Sequence, residues 1–152
     1  MTNTLNEIRY AERLSQRTAR LYRHVSATFT FLSVLGGSGV IASAAVTPAP
    51  TTLPILGAVL LATAAALNLA MRPADKAAAA DADAKRYAQL RSGAATMSQE
   101  DLAKALDKLR EGDIQEVESL REVAYNDVAF EMGRGDAAIP LTWHQRLLRS
   151  VA

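Results

Sequence analysis

The chain has no cysteine and few aromatic residues, and both scarcities limit its chemistry. Its 152 residues include a single Trp, and aromatic residues make up only 5%. Without cysteine the chain can form no disulfide and offers no thiolate as nucleophile or metal ligand. The formal net charge is +1, so no excess of basic residues indicates nucleic-acid binding. We expect no nucleic-acid partner.

Groups that carry catalysis or bind metals are equally scarce. The 2 histidines, His24 and His144, lack neighbours at the spacing of metal ligands. No local signature places a base near a serine nucleophile. Asp81 and Asp83 point about 200° apart on a helix, so they cannot act as a pair. We therefore expect a protein that is not an enzyme, with no catalytic residue, no metal and no cofactor.

Charge is missing from one long stretch of the chain. Val25–Met71 contains no charged residue, so all 17 basic and all 16 acidic residues lie outside it. Two apolar runs, Val25–Val46 and Leu53–Met71, are separated by "TPAPTT", whose prolines favour a turn. Each run is close to the roughly 20 helical residues needed to cross about 30 Å of hydrocarbon. The sequence predicts two transmembrane spans, 25–46 and 53–71. The alternative is a buried helix pair in a soluble bundle.

The flanks of the predicted spans indicate their orientation. The connecting segment carries no charge, whereas basic residues lie before the first span and after the second. They are Arg9, Arg13, Arg17, Arg20 and Arg23, then Arg72, Lys76, Lys85 and Arg86. By the positive-inside rule, we expect both termini in the cytoplasm. The charged leader and the second span argue against a cleaved secretory signal.

The segment "LGGSGV" in the first span resembles a phosphate-binding turn, but its surroundings indicate another role. No strand precedes it and no lysine is nearby, whereas small residues inside a span let helices approach closely. We predict packing between the spans or between copies of the chain in a homo-oligomer. The predicted packing residues are Ser33, Gly36, Gly37, Gly39, Ser43, Ala58, Ala62, Ala66 and Ala70.

Weakly polar residues also recur within the spans. Ser26, Thr30 and Ser33 follow helical spacing in the first span, and Asn68 places an amide in the second. Polar groups inside a membrane often face a bundle interior or a water-filled path, so these residues are candidate pore-facing residues. The alternative is hydrogen bonding between helices.

The rest of the chain is predicted to be helical, because no segment alternates with the period of a strand. We divide the chain into an amphipathic cytoplasmic helix (1–24), a transmembrane hairpin (25–72) and a cytoplasmic helical region (73–152). The fold class is therefore all-α, with the N-terminal helix packing on the C-terminal tail as a cytoplasmic bundle. The N-terminal helix is expected to enter the first span without a break.

Sequence signals also predict the helices after the second span. Pro73 is expected either to kink the helix or to restart it. Ser98 is predicted to cap the next helix, with Asp101 completing a variant of the capping box. Asp113 and Glu116 form a second predicted box, opening a helix that continues to Met132. The final segment, "PLTWHQRLLRSVA", places apolar residues on one helical face.

Three stretches together suggest a family. They are "RTARLYRHVSATFTFLSVL" at the first span, "AKRYAQLRSG" after the second, and "AYNDV" late in the tail. In this order and spacing, the chain resembles the SLATT membrane domains from about Glu7 to Arg149. The resemblance implies an effector of bacterial conflict systems in the inner (cytoplasmic) membrane, paired with a separate sensor or nucleotide-signalling protein. It carries over no catalytic residues.

Two classes of function compete at this point. The first is an oligomeric effector that perforates or depolarises the inner membrane in a bacterial defence or conflict system. The second is a non-lytic anchor or assembly subunit whose tail docks a cytoplasmic partner. A phage holin-like protein shares the predicted two-span topology, although a simple holin has little need of so long a tail. In every case the expected partners include the lipid bilayer.

Overall fold

The computed structural model describes residues 2–45, 52–113 and 117–152, and helices dominate these ranges without any strand. The all-α prediction is confirmed for this part of the chain. The α-helices are α1 (Thr2–Ala45), α2 (Thr52–Met71), α3 (Pro73–Gly93), α4 (Gln99–Arg110), α5 (Arg121–Glu131) and α6 (Trp143–Val151). Short 3-10 turns cover Ala94–Thr96, Glu118–Leu120 and Gly135–Ala137.

Helix α1 is 44 residues long and runs through the charged N-terminal segment and most of the first apolar run without a break, as predicted. Three glycines, Gly36, Gly37 and Gly39, lie within it, although a helical glycine costs about 1 kcal/mol relative to alanine. These three glycines therefore lower the intrinsic helix propensity of this part of α1. The connecting segment "TPAPTT" lies mostly outside the described residues.

The junction between α2 and α3 has a clear local cause. Arg72 adopts a left-handed conformation with φ of 45°, and its N–H donates to the carbonyl oxygen of Asn68 at 3.0 Å. A left-handed residue commonly ends a helix, and proline fits the first position of the next one. Pro73 therefore restarts the helix, which is one of the two outcomes predicted for it.

Side-chain caps fix the starts of α4 and α6. The Asp101 N–H donates to Ser98 Oγ at 3.2 Å, which confirms Ser98 as the cap of α4. At α6, the Thr142 N–H donates to Gln145 Oε1 at 2.9 Å and completes a capping box. Such caps satisfy amide groups that have no partner inside the helix.

The helix predicted from Asp113 to Met132 is wrong in its first half. Residues 114–116 lie outside the described ranges, and Val117 is extended, with φ of −84° and ψ of 103°. A 3-10 turn follows, and α5 begins only at Arg121. The predicted capping box of Asp113 and Glu116 depends on Glu116 and therefore lies outside the described part of the chain. Met132 ends α5, as predicted.

The chain separates into two compact units. The charged unit comprises Met1–Tyr22 and Asp75–Ala152, and the apolar unit comprises Arg23–Ala74. The charged unit has two apolar clusters. One is formed by Ile8, Tyr87, Ala94, Leu102 and Leu106, and the other by Leu14, Leu120, Ala124 and Ala152. The N-terminal part of α1 thus contributes to both clusters.

Candidate functional site: the glycine contact of the apolar unit

Two helices of the described chain are long and apolar enough to cross a membrane. They lie within Thr4–Ile41 and Pro54–Thr96, and their most apolar stretches are only 6% and 11% buried. A core helix of a soluble protein passes the same length and composition test, but such a helix is mostly buried. Large side chains such as Ile41 and Leu69 are exposed to 73% and 80%. None of the described residues covers this apolar surface.

Inside the apolar unit, α1 and α2 meet at two glycines. A Cβ atom added to Gly36 would lie 2.7 Å from the carbonyl oxygen of Gly57 and 2.8 Å from the backbone nitrogen of Leu61. A Cβ added to Gly57 would lie 2.8 Å from the carbonyl oxygen of Gly36. Both sets of distances are shorter than a real Cβ contact, and backbone atoms cannot rotate away. Only glycine fits at either position.

The other predicted packing residues of α1 lie around this contact rather than in its centre. Gly39 is near its edge, because a Cβ there would be 3.9 Å from the Cα of Gly57. Gly37 faces open space, with no atom within 4 Å of a Cβ built on it. Ser33 is half-buried, and the side chain of Ser43 lies outside the described part of the structure.

The alanines of α2 form a separate stripe. Ala58, Ala62, Ala66 and Ala70 are all exposed. At 100° per residue, this stripe faces nearly opposite to Gly57 and the buried Ala64. Helix α2 therefore has one small-residue face in contact with α1 and a second that nothing within the described chain covers.

Among the described residues, the predicted polar residues of the spans make no side-chain hydrogen bonds between helices. Thr30 Oγ1 donates to the carbonyl oxygen of Ser26 at 3.0 Å, one turn earlier in the same helix. Thr28 does the same to His24, at 2.8 Å. Within the described residues, the side chains of Ser33 and Asn68 have no hydrogen-bond partner. Asn68 is exposed, so its amide lies at the surface of the isolated chain.

Sequence reasoning missed Gly57 and Ala64, which take part in or flank the contact. Their seven-residue separation places both on one side of α2, which is a recognisable signal for a helix contact. The sequence prediction instead selected the longer alanine stripe on the other side of α2. Gly36 belongs to the predicted packing residues, but the sequence does not distinguish it from its neighbours Gly37 and Gly39.

The three quoted stretches have concrete structural roles in the charged unit. Arg17, which begins the first stretch, donates from Nε to Asp127 Oδ2 at 2.8 Å, and Asp127 belongs to "AYNDV". Asn126 of the same stretch is buried and donates to the carbonyl oxygen of Ile139 at 2.8 Å, while its Oδ1 accepts from the Ile139 N–H at 2.7 Å. These residues hold helices and segments together.

The middle stretch contributes Tyr87, which is fully buried in the first apolar cluster. Its hydroxyl donates to a carboxylate oxygen of Asp113. Burial, followed by this hydrogen bond to a negative group, raises the pKa of Tyr87 above its ordinary value. The phenol therefore stays neutral and acts as a hydrogen-bond donor within the core.

The described residues contain no group of acidic or histidine side chains able to hold a metal ion. The best-defined local feature of the apolar unit is thus its glycine contact, with an uncovered alanine stripe on the other side of α2. No protein family, curated protein or solved structure matches the chain.

Proposed function

We propose that the chain is an oligomeric inner-membrane effector that perforates or depolarises the membrane in a bacterial defence or conflict system. The observation that carries the proposal is the second small-residue face of α2. One face is used against α1 at Gly57, and the other, from Ala58 to Ala70, remains exposed. In a membrane, small faces bring helices together by close packing. The exposed stripe thus offers a contact for another copy.

The proposed topology is a transmembrane hairpin with both termini in the cytoplasm. Gly36 approaches Gly57 and Leu61, while the Cβ position of Gly57 approaches Val40, and this reversed order fits antiparallel helices. The distribution of basic residues supports the cytoplasmic location of both ends. The hydroxyl groups of Thr28, Thr30 and Ser38 bond back within α1, which suits a helix surface without water.

The setting in a conflict system rests on the resemblance to SLATT domains. In that setting, the charged unit would receive a signal from a separate sensor or nucleotide-signalling protein, and the spans would respond. The Arg17–Asp127 ion pair and the Asn126–Ile139 bonds make the charged unit a defined folded body instead of a loose tail. A defined body is what transmission of a signal requires.

A specific feature also favours the alternative of a non-lytic anchor. Helix α6 turns Gln145 and Leu148 inward but leaves Trp143 exposed to 78% and Leu147 to 61%. An exposed aromatic and apolar face of this kind is typical of protein interaction sites. In this alternative, the spans tether the chain and α6 docks a cytoplasmic partner.

Induced expression in bacteria with a membrane-potential dye separates the two functions. We expect rapid depolarisation by the wild-type chain, and the doubly substituted Ala62→Leu, Ala66→Leu chain should insert normally but lose the effect. Leucine favours insertion yet prevents close approach at the stripe. Ala65→Leu is the single-site comparison, because Ala65 is exposed and lies about 60° and 100° around the helix from Ala62 and Ala66. Normal growth and potential with the wild-type chain would reject the effector function in favour of the anchor.

A further inference from the structure

The charged unit contains a pocket between the start of α1, the end of α3 and the start of α4. Its volume is about 530 Å³, within the range of roughly 300–1,000 Å³ that small-molecule sites occupy. Leu5, Met97 and Leu102 form apolar walls, and Ala95 lies at the exposed rim. Leu5 and Met97 also pack against the first apolar cluster, so the walls are part of a folded core.

Arg9 is the first cation that lines this pocket. The side chain is half-buried, and no hydrogen-bond or ion-pair partner for it is present among the described residues. Two other arginines of α1 differ, because Arg13 pairs with Glu131 and Arg17 with Asp127. The guanidinium nitrogens of Arg9 are not among the buried unpaired atoms of the described residues, so their five N–H donors remain accessible to an anion that enters the pocket. Arg9 therefore presents an unused anion-binding group beside apolar walls.

Arg91 is the second cation at the pocket, and it is only partly neutralised. Its Nε lies 3.3 Å from Glu12 Oε2, but no hydrogen bond is formed to that buried oxygen. Gln16 donates to the other oxygen of Glu12 at 3.2 Å. Glu12 weakens the attraction of Arg91 for an anion, so Arg9 is the main anchor and Arg91 contributes less.

These observations select one class of ligand. A small hydrophilic anion would leave the walls of Leu5, Met97 and Leu102 uncovered, and a neutral hydrocarbon would leave Arg9 without a partner. None of the described lining residues is aromatic, so a nucleobase would find no stacking surface. We propose that the pocket binds a single-chain amphiphile with a carboxylate or phosphate head, its chain against the apolar walls and its head on Arg9. This binding does not depend on pore formation.

A single reporter can test the proposal in the full chain, because the protein has no cysteine of its own. Ala95→Cys at the exposed rim carries an environment-sensitive fluorophore, with the protein held in lipid nanodiscs. Decanoate, decyl phosphate and decanol are titrated separately. We expect saturable signals with decanoate, decyl phosphate or both, at concentrations at least about tenfold lower than with decanol. Tighter binding of decanoate would identify a fatty acid as the ligand class, and tighter binding of decyl phosphate would identify a phosphorylated lipid.

Variants at two arginines of α1 then test the role of the head group. Arg9→Gln should weaken binding of the anionic amphiphile at least about tenfold. Arg9→Lys should be intermediate, because lysine keeps the positive charge but cannot make the bidentate hydrogen bonds of a guanidinium group. Arg20→Gln is the control, since Arg20 is exposed and does not line the pocket. Thermal unfolding confirms that each variant folds. Equal binding of decanol, no saturable signal with any probe, or equal losses in the Arg9→Gln and Arg20→Gln proteins would overturn the proposal.

Discussion

The two units of this chain are both helical, yet they satisfy their polar groups in different ways. In the apolar unit, Ser38 Oγ donates to the carbonyl oxygen of Val34 at 2.8 Å, inside its own helix. In the charged unit, Asn126 and Arg17 reach other segments of the chain. Bonding within one helix suits a surrounding that offers no partner, whereas bonding between segments fixes a particular tertiary structure. The comparison indicates that glycine packing organises one unit and polar contacts organise the other.

The largest expected effect comes from filling the glycine contact. Gly36→Leu would place a side chain against the Gly57 carbonyl, so we expect α1 and α2 to separate in the apolar unit. Gly37→Leu is the matched control, because Gly37 faces open space. Electron-spin distance measurements between labelled cysteines at the exposed Ile41 and Ile55 report the separation. Equal changes in both variants would show that the contact is not specific to Gly36.

The same pair of variants also tests contacts between copies. No described residue of another segment lies within 4 Å of a Cβ built on Gly37, so we attribute any loss of oligomer size in Gly37→Leu to a contact with a neighbouring copy. We expect normal insertion and a smaller or less stable oligomer. Mass determination in nanodiscs measures this. An unchanged oligomer would restrict the contact between copies to the alanine stripe.

Among the ion pairs of the charged unit, we expect the pair between Arg17 and Asp127 to contribute most to stability. The two side chains are exposed to only 16% and 17%, so Asp127→Asn leaves a largely buried guanidinium without its counterion. We expect α5 to lose about 2 kcal/mol of protection, below the full value for a completely buried pair. Hydrogen exchange in α5 should then accelerate about 30-fold.

Two controls sharpen this result. Replacing both partners by apolar residues, Arg17→Met with Asp127→Leu, should restore most of the protection, because no unpaired charge remains. Glu100→Gln removes a pair whose side chains are 79% and 69% exposed, and exchange should barely change. A similar acceleration in all three proteins would mean that burial does not determine the strength of these pairs.

A smaller loss is expected at Asn126, which binds both backbone groups of Ile139. Asn126→Ala removes two hydrogen bonds and should destabilise the charged unit by about 1.5 kcal/mol. Asn126→Asp loses the donor and places a buried carboxylate beside the Ile139 carbonyl oxygen, so at neutral pH its loss of stability should be at least as large as that of alanine. Urea unfolding followed by circular dichroism compares the variants. Wild-type stability of either variant would contradict this assignment.

The smallest effect concerns alkaline pH. Burial raises the pKa of Tyr87 above the ordinary tyrosine value of about 10, so folding favours the neutral phenol. The contribution of the neutral Tyr87 phenol to the free energy of unfolding is complete below about pH 10 and is lost as the pH rises further. Stability of the wild-type chain should therefore fall above pH 10 more steeply than that of Tyr87→Phe. Parallel pH profiles of thermal unfolding would contradict this expectation.

Much of the helix pattern was predictable because its causes are local. Pro73 and Ser98 act through the backbone of their immediate neighbours, and both mark helix starts in the structure. The extended backbone of Val117 was not predictable, because Val117 packs against the second apolar cluster, which includes Leu14 from the distant α1. Tertiary contacts of this kind override local helix propensity.

The candidate site was predictable in kind but not in position. Small residues in both apolar runs indicated close helix packing, but many helical registers satisfy that pattern. Only the structure shows that Gly36 meets Gly57 and that the alanines face away. Arg17 pairs with Asp127, which lies more than a hundred residues away in sequence, whereas Arg9 has no ion-pair partner among the described residues. No local sequence motif indicates either arrangement.

The most direct test of the central claim is the accessibility of single cysteines in intact bacterial cells. One cysteine is placed at Thr51, in the uncharged segment between the two apolar helices, and another at the exposed Lys108 of α4. We expect an impermeant thiol reagent to label Thr51→Cys in intact cells and to label Lys108→Cys only after the cells are lysed. Labelling of Lys108→Cys in intact cells with protection of Thr51→Cys would contradict the proposed hairpin and its orientation.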